Sequence, residues 1–161
     1  MNTDFQSVYD MFLSNITSYD YLDLTETELN TELKMIMRKA LAKCLNFDDV
    51  KADYILEEFN RELTELEINI IANFMIIEWL NPQITSEEKL KMRLGSKDYT
   101  TYSPANLLKQ LQDIRNDARK EAHYWSNLYS WKKRAKEKIK WVITMCGKRK
   151  CKIVVKTQPK Q

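Results

Sequence analysis

The chain has 161 residues, with 26 basic and 23 acidic side chains and a formal net charge of +3, but only two glycines, three prolines and three cysteines. So little turn chemistry argues against sandwiches, barrels and doubly wound α/β folds and points to long helices; two glycines also cannot build a glycine-rich phosphate loop. The charge is uneven: from Trp131 to Gln161 twelve basic residues stand against the single acid Glu137, so an acidic body, 1–130, precedes a strongly basic extension, 131–161.

The opening segment "MNTDFQSVYD" has neither the basic start nor the apolar run of a signal peptide. No apolar stretch approaches the roughly 20 residues that span a bilayer, so no membrane partner is expected. An odd number of cysteines without a secretion signal suits reduced thiols in a cytosolic setting.

In chain order, Phe5, Val8, Tyr9, Phe12, Leu13 and Ile16 recur at helical spacing and predict a short amphipathic helix. Thr25 and Glu28 form a capping box, behind which Leu29, Leu33, Ile36, Met37, Ala40, Leu41 and Cys44 mark one face of a helix ending near Leu45. The stretch to residue 63 is less periodic and reads as a connection with a short helix around 51–59. Thr64 and Glu67 form a second capping box before "INIIANFMIIEWL". That run is apolar almost all round, as befits a helix at the centre of a bundle.

Pro82 is expected to stop this helix, with Thr85 and Glu88 capping a short one that ends before Gly95. "SKDYTTY" reads as loop. Ser103 and Pro104 then read as N-cap and first residue of the longest helix, whose apolar face is Leu107, Leu108, Leu111, Ile114, Ala118, Ala122, Trp125 and Leu128. Ala135, Ile139 and Val142 keep that spacing. Yet "KWVITM" and "CKIVVK" are rich in β-branched residues around "CGKRK", which favours a helix fading near Lys138 and a two-stranded ribbon over 138–156. Across such a hairpin Cys146 and Cys151 could face each other. The fold class is therefore mostly α: a helical bundle with one long C-terminal helix and a basic tail that includes a short β-hairpin or strand.

Little in the chain suggests chemistry. His123 is the only histidine, which denies the chain a multi-histidine metal site, and a packing or surface role suits it better than catalysis. Glu57/Glu58 and Glu87/Glu88 are adjacent pairs, whose side chains diverge by about 100° on a helix. No catalytic, cofactor-binding or metal site is expected, and no enzyme. The basic extension is interleaved with Tyr124, Trp125, Tyr129, Trp131 and Trp141, the mixture that single-stranded nucleic-acid surfaces use. Lys132, Lys133, Arg134 and Lys136 are the candidates for nonspecific DNA contact. Contact with an acidic protein surface, and a merely solvated tail, fit the same residues.

"LTELEINIIANFMIIEWLNPQI" (63–84) and "KLKMRLGSKDYTTYSPANLLKQLQDIRNDARKEAHYW" (89–125), with 9–28 before them, resemble a family of small neck, or head-to-tail connector, proteins of tailed bacteriophages of Gram-positive hosts. The resemblance covers about 1–130; the chain departs from the pattern after residue 131. It implies a helical adaptor without cofactor, made in the host cytoplasm and carried in the virion neck. Its partners would be the portal protein, neighbouring copies in a dodecameric ring around the DNA channel, and tail or stopper proteins. Tyr99, Tyr102, Lys148, Arg149, Lys150, Lys152, Ile153, Val154 and Val155 are then the candidates for contact with portal or a neighbouring subunit, the last residues by adding a strand to a partner's sheet edge. A nonspecific nucleic-acid-binding phage accessory protein is the alternative.

Overall fold

The computed structural model describes residues 2–16, 21, 24–44, 47, 49–93 and 104–148, with side chains described up to 89 and again over 106–141. It is mostly helical: α1 (Phe5–Ser14), α2 (Glu26–Leu41), a two-stranded antiparallel hairpin of β1 (Ala52–Asp53) and β2 (Glu58–Phe59), α3 (Glu65–Arg93) and α4 (Pro104–Lys148). The long C-terminal helix expected from the sequence is α4, and the charge-based division at residue 130 falls inside it without a break.

The helix starts follow local chemistry. Asp4 caps α1 by accepting from the Gln6 N–H at 3.2 Å. At α2 the Thr25–Glu28 box closes in both directions, with the Glu28 N–H on the Thr25 hydroxyl and the Thr25 N–H on the Glu28 carboxylate. Such a box occupies two of the N–H groups a helix start leaves unpaired. α2 ends at Leu41, where the Ala42 N–H reaches back to the Arg38 carbonyl, rather than near Leu45.

α3 is the centre. α1, α2 and α4 each pack on it. Phe5, Val8, Tyr9 and Phe12 of α1, and Leu33, Ile36, Met37 and Ala40 of α2, close over Ile70, Ile71, Phe74, Met75, Ile77, Leu80 and Ile84. α4 runs antiparallel to α3: Gln112 donates to Glu88 at 3.1 Å, His123 stands edge-on to Phe74, and Tyr129 reaches Glu67. Ala118 and Ala122 are buried in this contact; small residues there let the two helices approach closely.

Four expectations are corrected. Residues 51–59 form the hairpin rather than a short helix: Asp53 Oδ1 accepts from the N–H groups of Ile55 and Leu56 at 2.9 and 3.2 Å, and Glu57 takes a left-handed φ of 59°. That Asp-led turn competes with helix formation. The N-terminal segment then pairs with it, Phe59 N–H to the Thr3 carbonyl at 2.8 Å and Phe5 N–H to that of Glu57 at 2.9 Å.

Pro82 does not stop α3, which continues to Arg93. Buried Leu80 and Ile84 hold the turns on either side of the proline, while Pro82 itself is exposed, so water can serve the carbonyl it leaves without a donor. Thr85 is accordingly no N-cap; its hydroxyl donates to the Asn81 carbonyl one turn back at 2.8 Å.

"KWVITM" is helical, not a strand, because α4 runs on through Lys148. Propagating an existing helix is easier than nucleating a new element, and a few β-branched residues do not reverse that. Cys146 therefore lies in the helix rather than on a ribbon. Finally, Leu107 and Ile114 are 45% and 52% exposed, so they flank the core face of α4 instead of filling it.

Candidate interaction surface

Where α4 passes the beginning of α3, a polar network fastens the two. The Glu67 carboxylate is buried. It accepts from the Thr64 N–H and hydroxyl at 2.8 and 2.9 Å, from both terminal nitrogens of Arg61, and from the Tyr129 hydroxyl. Burial pushes this carboxyl up, but the Arg61 guanidinium and the Thr64 and Tyr129 donors outweigh it and hold it down at about 2. Burial, with Glu67 as its acceptor, pushes the Tyr129 phenol up to about 12. The second arm of Arg61 donates from Nε to Asp49 at 3.0 Å, and Lys133 approaches the other Asp49 oxygen at 3.7 Å.

Beside the network opens a cleft of about 330 Å³ lined by Asp49, Thr64, Leu66, Tyr129, Lys132, Lys133 and Lys136. Of the residues predicted to contact DNA, Lys132, Lys133 and Lys136 thus meet at one place, although Lys133 is half-buried and partly committed to Asp49. Arg134 lies apart from them. Its guanidinium sits 5.5 Å from the centre of the Trp131 ring and its Nε donates to the Ser130 carbonyl, a cation–π contact of the kind worth about 0.5–1 kcal/mol on a surface.

α4 then outruns its support. At 45 residues it is about 67 Å long, whereas α3 at 29 residues is about 43 Å. With Tyr129 and Lys133 level with the start of α3, the last four turns of α4 pass beyond it. On this stretch and just before it Trp131, Ile139 and Trp141 are 70%, 60% and 64% exposed. Lys148 is the last residue of α4, and its side chain lies outside the described residues. So do Tyr99, Tyr102, Arg149, Lys150, Lys152, Ile153, Val154 and Val155, and with them the expected strand.

Sequence reasoning saw Glu67 only as a cap and did not single out Asp49 or Arg61. The one available signal was an Arg six residues before the carboxylate of a capping box, which is weak. His123 is exposed against Phe74. Cys44 is buried, its thiol on the Ala40 carbonyl, and burial pushes that thiol up to about 12, far from reactive. Among the described residues there is no group of three or more His, Cys, Asp or Glu able to hold a metal ion, and no helix long and apolar enough to cross a membrane. No family model, curated protein or solved structure matches the chain.

Proposed function

We propose that the chain is a structural adaptor, a neck or head-to-tail connector protein of a tailed bacteriophage, which joins portal and tail in a ring and carries out no chemistry. The observation that carries this reading is the length of α4: it outruns α3 and presents basic residues and the exposed Trp141 beyond the helical body, with exposed Trp131 at its edge. An enzyme has no evident use for such a projection, whereas a protein that must reach a neighbour does. The resemblance of 63–84 and 89–125 to connector proteins supplies the identity of that neighbour. The test is binding of the full chain to purified portal rings, followed by sedimentation. The full chain should co-sediment, and deletion of 146–161 should abolish binding while leaving the helical circular dichroism intact. A full chain that ignores portal would sink the reading.

Nonspecific nucleic-acid binding is the second reading, favoured by Trp131 beneath Arg134 and by the three lysines around the cleft. It predicts micromolar affinity for a single-stranded oligonucleotide, falling steeply with salt and weakened by Lys132→Gln with Lys136→Gln.

A further inference from the structure

The apolar stripe of α4 does not stay on one side. Each residue turns a helix by about 100°, so a step of three falls about 60° short of a full turn. Ala122, Trp125, Leu128 and Trp131 are three such steps in succession, which together swing the stripe about 180°. The exposures follow this rotation. Ala122 is fully buried and Trp125 packs at the edge of the core. Leu128 is half-buried and outside the core cluster, and Trp131 is 70% exposed. From there Ala135 and Ile139 follow in steps of four and stay on the outer side, while Tyr124, seven residues before Trp131, lies there too and is 63% exposed.

The outer face of α4 therefore carries a second apolar seam, Tyr124, Leu128, Trp131 and Ala135, spaced four, three and four as in a coiled coil. Its flanks differ in charge. Before the seam the same face bears Asp113, Asp117 and Glu121, with Lys120 bridged to Asp117 at 2.8 Å; at its far end Arg134 borders it beside Ala135, and Lys138 follows. Acid, apolar, base is a pattern that complements itself when reversed.

We propose that this face pairs antiparallel with the same face of a second copy of the chain, about a two-fold axis between Tyr129 and Ser130. Leu128 of one copy then meets Trp131 of the other in the two central layers, and Tyr124 meets the small Ala135 in the two outer ones. Glu121 faces Lys138, and Asp117 lies within one turn of the same lysine. A parallel pair would instead set Asp117 against Asp117 and Arg134 against Arg134, which like-charge repulsion disfavours. From Asp117 to Lys138 the seam is about 33 Å long, enough for an ordinary helix pair. Lys132, Lys133 and Lys136 point to the side of α4 that bears the cleft, so pairing leaves them free. The inference does not depend on the connector reading.

The experiment is sedimentation equilibrium of the full chain up to about 100 µM, where a pair with micromolar Kd is mostly dimeric. Arg134→Glu with Lys138→Glu should weaken dimerisation by about tenfold or more, as should Asp117→Lys with Glu121→Lys. The chain carrying all four substitutions should recover to within about threefold of the original, because its charges again complement on reversal. These side chains are on the exposed face, and recovery in the fourfold variant guards against damage to the fold. A monomer throughout the range, a dimer indifferent to either charge pair, or a fourfold variant that stays dissociated would each overturn the proposal.

Discussion

Glu67 shows how one side chain joins capping to tertiary structure. As a capping-box acid it needs only Thr64, yet burial makes an unpaired carboxylate costly, and Arg61 and Tyr129 answer that cost. Its carboxyl is held below its unfolded value, so the stability it contributes is fully present above about pH 4.5 and is lost as pH falls toward 2. A shift of that size corresponds to roughly 3 kcal/mol, most of it lost by pH 2.5. Urea denaturation of the protein and of Glu67→Gln should therefore show a gap between them at pH 6 that closes by most of that amount at pH 2.5. A constant gap would mean that the network acts through packing and not through charge. Of this site the sequence displayed the cap, because a box spans four residues; the Arg61 and Tyr129 partners depend on how the chain returns, which no local pattern encodes.

At the scale of elements, the helices whose apolar spacing stays regular were readable, and the places where it breaks were not. Phe5, Val8, Tyr9 and Phe12 gave α1, and the unbroken apolar run gave the core of α3. Phe74→Ala, at the contact of α3 with α4, should cost about 3–5 kcal/mol in urea denaturation; a loss below about 1 kcal/mol would show that this contact carries little of the stability. Pro82 was misleading because sequence rules price a proline on an isolated helix, whereas here Leu80 and Ile84 hold both flanking turns in the core. The ring still removes a donor and crowds the Glu78 carbonyl. Pro82→Ala should therefore raise stability by about 1–3 kcal/mol, and a destabilised variant would mean that the proline ring itself is needed for packing. The hairpin at 52–59 was hidden because that stretch has little periodicity of either kind, and the Asp53 turn that defeats the helix is a single residue.

Taken whole, the molecule separates what folds it from what it presents. Its core lies between α1 and Ala122 of α4, whereas 142–161 bears six basic residues and no acid. Charge of this kind costs the fold little and governs association instead, through attraction at a distance that salt screens. Deleting 142–161 would turn the net charge from +3 to −3, yet every described residue of the core precedes the cut. The shortened chain should unfold within a few degrees of the full one by thermal circular dichroism, while its retention on an anionic resin such as heparin should collapse at low salt. If instead the melting temperature drops by about 10 °C, a shift that for a domain of this size corresponds to several kcal/mol, the last residues belong to the folded body and the separation of body from tail is wrong. If retention on heparin persists, then Lys132, Lys133 and Lys136 around the Asp49 cleft, rather than the end of the chain, carry the anion-binding surface, and substituting those three with Gln should remove it.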